Sequence, residues 1–189
     1  PLYEQAAELR PSKNNRLLLA NVYQNLEMYD QAQQVLNKMN AQEPTDFDVL
    51  AEMGDLAASR GDVDGAVARF DRAIWLQQLQ MRDTTFVRLL KAQALMSGGR
   101  NQEARREVEQ TLDIQPYNAT AYTLLGNLYR AELHPELAVA AYEKALSLNP
   151  KEVVAYISLT GQYRQQAIAS TDAVGVLEQG TQVNPDQVS

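Results

Sequence analysis

The chain has 189 residues, of which 45% are hydrophobic and 22% are charged, and its formal net charge is −7. This hydrophobic fraction is typical of globular proteins and argues against intrinsic disorder. No apolar run approaches the ~18 residues that a membrane helix needs, so we expect no membrane insertion. An acidic chain is also a poor match for nucleic acid, because phosphate binding needs clustered lysine and arginine.

Few side chains are suited to catalysis or to metal binding. The chain has no cysteine and a single histidine, His134, so thiolate sites, disulfides and histidine-based catalytic triads lack their usual residues. The glycines form no phosphate-binding loop, and Gly98 and Gly99 stand alone between helical patterns. We therefore expect a protein that is not an enzyme, with no catalytic residue, no cofactor and no metal.

A pattern of about 34 residues repeats along the chain. It is clearest from Ala119 onward, where the recurring residues are Tyr122, Leu125, Gly126, Tyr129, Ala138, Tyr142, Ala145 and Pro150. Their spacing resembles that of the tetratricopeptide repeat, a unit of two helices. The resemblance implies an all-α fold, a right-handed α-α superhelix (solenoid) of about five helix pairs preceded by a half-repeat.

The same frame predicts the boundaries of a single array of repeats. A half-repeat at 1–12 is followed by units at 13–46, 47–80, 85–118, 119–152 and 153–187. The first residues match the second helix of a unit, and the last match a junction into a further unit, so we expect an internal segment of a longer array. Such ends would lack a stacking neighbour, which predicts weak end-to-end self-association.

Particular places in the unit predict how its helices pack. Small residues recur at the eighth place (Ala20, Gly54, Ala92, Gly126) and at the twentieth (Ala32, Ala66, Ala104, Ala138), which lets paired helices approach closely.

In unit 85–118, Arg88 and Lys91 replace large apolar residues, so Leu89 and Leu90 could supply the packing there. Unit 47–80 lacks its final proline, which predicts a second helix one turn longer. That helix carries Trp75, either packed against a neighbour or anchoring a partner.

The resemblance also implies a concave groove, lined by the second, fifth, sixth, ninth, twelfth and thirteenth places of each unit. The candidate partner-binding residues at these places are Asn21, Asp48, Glu52, Asp55, Phe86, Leu90, Gln93, Met96, Asn127 and Arg130. The amides at the ninth place could hold the backbone of an extended peptide, or they could form only a solvated polar face. The apolar residues at these places would form an apolar floor, although Leu89 and Leu90 in particular are equally compatible with the core. They are Phe86, Leu89, Leu90, Met96, Leu124, Val154 and Ile157.

An acidic stripe crosses this groove. Asp48, Glu52 and Asp55 have i, i+4, i+7 spacing and therefore share one helix face. Like charges so placed cost stability, and a cationic ligand segment would relieve that cost. The alternative is a solvated acidic helix start, favoured by the helix dipole.

We therefore expect an interaction scaffold that binds a peptide or protein segment in its groove. One alternative is a regulatory or substrate-presenting array within a larger enzyme or a bacterial secretion or polysaccharide-export protein. Another is an assembly module whose ends stack. The absence of cysteine is compatible with either the cytoplasm or the periplasm.

Overall fold

A computed structural model describes residues 12–165 and 170–183, and within these ranges the chain is helical, without strands. The helices there are α1 (Lys13–Asn25), α2 (Tyr29–Gln42), α3 (Phe47–Ser59), α4 (Val63–Leu79), α5 (Thr85–Ser97), α6 (Asn101–Ile114), α7 (Ala119–Ala131), α8 (Pro135–Leu148), α9 (Val153–Gln165) and α10 (Ser170–Val183). The predicted all-α fold class is confirmed. Residues 1–11 of the predicted half-repeat and the predicted junction at 184–187 lie outside the described residues.

Local sequence signals begin and end these helices. Asp46 begins α3, since its side chain accepts hydrogen bonds from the backbone N–H groups of Asp48 and Val49 at 3.0 and 3.3 Å. Further side-chain caps come from Ser12, Asp62 and Asn118. The second helices of three repeat units, α2, α6 and α8, end two residues before Pro44, Pro116 and Pro150. Proline disfavours the helical conformation in the residue that precedes it, which explains these ends.

The chain forms two compact units, Pro1–Arg100 and Asn101–Ser189. In the first unit α1 packs on α2, α3 packs on α4, and α5 contacts both α3 and α4. The first helices of successive pairs also touch, because α1 contacts α3 and α3 contacts α5. In the second unit α7 packs on α8 and α9 packs on α10, while α6 contacts α7 and α9 contacts both α7 and α8.

The core lies where small residues of one helix meet large residues of its partner. A Cβ atom added at Gly54 would lie 2.7 Å from the ring of Phe70, and one added at Gly126 would lie 2.6 Å from Cδ1 of Tyr142. Both rings are fully buried. The alanines at the eighth and twentieth places, Ala20, Ala32, Ala66, Ala92, Ala104 and Ala138, are at most 1% exposed. The predicted close approach of paired helices is therefore confirmed.

Two departures from the repeat pattern have the predicted consequences. Helix α4 has 17 residues, whereas α2, α6 and α8 each have 14. Trp75 on α4 is 47% exposed, with the guanidinium of Arg72 4.5 Å from its ring centroid. In α5, Leu89 is buried and Leu90 packs against the neighbouring core cluster, which confirms that they supply packing.

The turn within each of the first four helix pairs contains one residue in the left-handed conformation. Gly61 and Gly99 have φ angles of 78° and 73°, which glycine adopts at little cost. Glu27 and Leu133 have φ angles of 58° and 62° at corresponding turns. A side chain in this conformation costs about 1–2 kcal/mol, and Leu133 is 85% exposed, so its burial does not offset that cost.

We expect Gly126→Leu to be strongly destabilising, because the new side chain would overlap the buried Tyr142 ring. Overpacking of this kind costs about 1–3 kcal/mol or more. Urea unfolding followed by circular dichroism measures the effect. Gly161→Leu is the matched control, since nothing lies within 4 Å of its added Cβ and it should be neutral or stabilising. Equal stabilities of the two variants would show that the repeat frame is misplaced.

We expect Leu133→Gly to stabilise the protein by up to about 1 kcal/mol, because glycine removes the strain of the positive φ angle. Leu133→Ala is the control, since alanine keeps both the Cβ atom and the strain. Thermal unfolding should therefore give a higher Tm for the glycine variant alone. An alanine variant as stable as the glycine variant would contradict the argument.

Candidate binding surface

The first helices of the first unit carry most of the predicted groove residues. Phe86, Asp48 and Gln93 are exposed, and Asn21, Glu52, Asp55, Leu90 and Met96 are half-buried. We call this surface of α1, α3 and α5 the α1–α3–α5 face. Asn127, half-buried, and Arg130, exposed, lie on α7 in the second unit.

Two residues that the sequence placed on the apolar floor are not available there. Leu89 is 8% exposed and Leu124 is 4% exposed. Leu89 is drawn into the core because Arg88 and Lys91 occupy the usual packing places, where Lys91 Nζ instead binds Asp71 Oδ1 at 2.6 Å. Of the two alternatives for Leu89, the core is the one that the structure shows, and the interpretation of Leu124 as a floor residue is wrong. The exposed apolar contribution of α5 comes chiefly from Phe86, which is 69% exposed.

Asp48 is paired with a cation of the same protein. Lys13 at the start of α1 binds the carboxylates of Asp46 and Asp48, with N–O distances of 2.7 and 2.6 Å. Burial pulls the pKa of Lys13 downward, but hydrogen bonds and the charges of both aspartates outweigh this and leave the pKa raised. The ammonium group therefore stays charged and joins α1 to the first turn of α3.

Asp55 is paired at the other end of α3. Gln24 Nε2 on α1 donates a hydrogen bond of 2.6 Å to Asp55 Oδ2 and one of 2.9 Å to Ser59 Oγ. Sequence reasoning missed this contact, although the frame held a signal: Gln24 occupies the twelfth place of its unit, and Asp55 occupies the ninth place of the next. Lys13 and Gln24 together join α1 and α3 at both ends of the acidic stripe.

Glu52 lies between these two paired aspartates and differs from them. Its carboxylate is half-buried, and it forms no hydrogen bond or ion pair with any residue that the structure describes. Burial raises the pKa of Glu52, and the nearby charges of Asp55 and Asp48 raise it further. Keeping the Glu52 carboxylate ionised in the folded protein therefore costs free energy. No group in the described ranges offsets this cost.

The two amides on α1 and α7 have their oxygens engaged. Tyr142 Oη donates a hydrogen bond of 2.8 Å to Asn127 Oδ1, and Asn25 Nδ2 donates one of 3.0 Å to Asn21 Oδ1. Burial raises the pKa of Tyr142, although the charge of Arg130 partly opposes this, so the hydroxyl remains a donor. An amide whose oxygen is bound in this way can still offer its N–H group to a ligand carbonyl.

The described ranges contain neither a metal centre nor a membrane span. No three acidic or histidine side chains there are grouped so that they could hold a metal ion. None of the helices there has the length and apolar character that a bilayer crossing requires.

We expect Glu52→Gln to raise the Tm at pH 7, because glutamine removes a half-buried charge next to two like charges. A carboxyl group whose pKa is raised by folding lowers stability where it is ionised and ceases to do so once it is protonated. The Tm advantage of the variant should therefore shrink as the pH falls through the raised pKa. Asp48→Asn is the control and should lower the Tm slightly, because it breaks the pair with Lys13. A less stable Glu52→Gln variant at pH 7 would contradict this assignment.

Comparison with known sequences identifies the repeat. Tetratricopeptide repeat models match residues 15–44 and residues 119–152. The human protein O-mannosyl-transferase TMTC1 is 28% identical over 165 residues, which cover 85% of this chain. The chain spans only 17% of the length of that relative.

Solved structures share the fold. The crystal structure of PilW, a widely conserved type IV pilus biogenesis factor, superposes with a TM-score of 0.75 at 18% identity, covering 98% of this chain and 84% of PilW. YrrB, a TPR protein with an unusual peptide-binding site, superposes with a TM-score of 0.56 at 12% identity, covering 99% of this chain and 94% of YrrB. These likenesses confirm the predicted solenoid class of fold. The two matched models show that the chain contains tetratricopeptide repeats, as the sequence pattern predicts.

Proposed function

We propose that the chain is a non-catalytic scaffold that binds an extended peptide or protein segment on the α1–α3–α5 face. The observation that carries this proposal is the 69% exposure of Phe86, one helical turn before the half-buried Leu90 on α5, whose neighbour α3 carries Glu52. Large aromatic side chains left exposed among polar groups commonly mark interaction sites. Tetratricopeptide repeats are typically interaction modules, which agrees with this use of the face.

Polar groups on the same face support an extended ligand. Asn21 on α1 and Gln93 on α5 occupy the ninth places of their units, and Gln93 is exposed. Amide groups bind the backbone of a ligand whatever its side chains are, provided that its N–H and C=O groups are not already paired. YrrB shows that a protein of this fold can have a peptide-binding site.

A second candidate is a segment that regulates a larger enzyme or presents its substrate. The observation that favours it is the match to a transferase of which this chain spans 17%. In that case the face would bind either another part of the parent protein or its substrate. The flanking sequence of the parent protein distinguishes the two candidates, because the second requires a catalytic domain in the same chain.

We expect Phe86→Ala combined with Leu90→Ala to remove most binding at any salt concentration, because apolar anchors dominate affinity and are not screened by ions. The amount of partner captured should fall at least about tenfold. The measurement is quantitative mass spectrometry of proteins captured from a lysate of the source organism on immobilised wild-type and variant chains.

The matched control is Leu79→Ala combined with Met81→Ala. These side chains are 63% and 97% exposed, so the control removes a similar apolar area outside the α1–α3–α5 face. Circular dichroism of both double variants checks that they fold. Partners retained by the Phe86 and Leu90 variant, or lost equally from the control, would refute the assignment to this face.

A further inference from the structure

Three side chains at one repeat position form a row across the α1–α3–α5 face. Leu18, Glu52 and Leu90 each occupy the sixth place of their unit, on α1, α3 and α5. Because α1 contacts α3 and α3 contacts α5, the row crosses three adjacent helices. Leu18 is 51% exposed, and Phe86, one helical turn before Leu90, is 69% exposed. An acidic centre is therefore flanked by apolar surface on both sides.

The carboxylate at the centre of this row is the one on α3 that lacks a hydrogen-bond partner among the described residues. Asp48 is bound by Lys13 and Asp55 by Gln24, whereas Glu52 has no hydrogen bond or ion pair with a residue in the described ranges. A cationic group placed at Glu52 would be complementary to it and would meet a carboxylate already partly removed from water. Partly desolvated pairs, above all those with an arginine fork, are stronger than exposed ones.

The spacing of the helices limits the conformation of a matching segment. Packed helices lie 8–10 Å apart, so successive members of the row should lie about that far apart as well. A polyproline II segment has three residues per turn and rises ~3.1 Å per residue, so its residues i, i+3 and i+6 lie on one side at intervals of about 9 Å. In a β-strand, residues i and i+3 point to opposite sides. An α-helical ligand pairs its own backbone groups and could not use the amides of Asn21 and Gln93.

We propose that the row binds a segment in the polyproline II conformation, with a central lysine or arginine at Glu52 and an apolar residue three positions away on each side, at Leu18 and at Phe86 with Leu90. This inference rests on the proposed function and specifies the partner of the same face. Glu52 supplies specificity for the cation, and the two apolar ends supply affinity.

Fluorescence anisotropy with synthetic peptides tests the proposal. The probe is a fluorescein-labelled, proline-rich nonapeptide with a central arginine and a leucine three residues away on each side. A second peptide replaces arginine with citrulline, which keeps the shape and removes the charge. A third peptide places each leucine two residues from the arginine. A fourth peptide is a stapled helix in which each leucine lies seven residues from the arginine.

The protein variants are Glu52→Gln and Glu109→Gln. Glu109 is an exposed residue of α6, in the second unit, so its replacement changes the net charge by the same amount outside the row. Glu52→Gln is expected to be at least as stable as the wild type, so weaker binding by this variant would not reflect loss of folding.

We expect Glu52→Gln to bind the arginine peptide at least about fivefold more weakly than the wild type, because a partly desolvated charge-assisted pair is lost, and Glu109→Gln to bind it equally well. The citrulline peptide should bind wild type and Glu52→Gln alike, and the third and fourth peptides should bind the wild type more weakly than the first. Equal binding of the arginine peptide by wild type and Glu52→Gln overturns the proposal, as does tighter binding of the helical peptide or no binding below 1 mM. The proposed function would survive these outcomes if the Phe86 and Leu90 double variant still lost its captured partners.

Discussion

The fold depends on close contact between two paired helices, which only a small residue permits. The ring of Phe70 lies against Gly54, and the ring of Tyr142 lies against Gly126, with no room for a further carbon atom. This contact buries a large side chain completely and fixes the distance between the helices of each pair. Alanine serves the same purpose on the partner helix, where Ala66 and Ala138 are 0% exposed.

The first helices of the first unit, α1, α3 and α5, lie side by side. The residues at their groove-lining places form one surface, the α1–α3–α5 face. The polar contacts between them involve pairs of residues such as Lys13 with Asp48 and Gln24 with Asp55. These contacts stabilise the arrangement and at the same time use up two of the three carboxylates on α3. Glu52 is left without a hydrogen-bond partner in the described ranges and is the carboxylate of α3 that the proposed ligand would meet.

Glu52 shows a conflict between stability and the binding role proposed for it. A carboxylate that is half-buried beside like charges destabilises the free protein at neutral pH, and its raised pKa reports that cost. Such costs persist at sites where a group is used for binding, because the ligand supplies the missing partner. Asn127 on α7 is the opposite case, because its oxygen accepts a hydrogen bond from Tyr142 that holds the amide in one orientation.

The sequence by itself determined the helix pairs, the positions of the small residues, the longer α4 and the common face of Asp48, Glu52 and Asp55. These features follow from local periodicity, because the pitch of a helix fixes which residues share a face. The tertiary structure alone decided which of the acids are paired, since Lys13 and Gln24 are 35 and 31 residues away from Asp48 and Asp55. It also decided that Leu89 and Leu124 are buried while Phe86 is exposed. Partners and exposure depend on which helices pack together, and the spacing of residues along one helix does not contain that information.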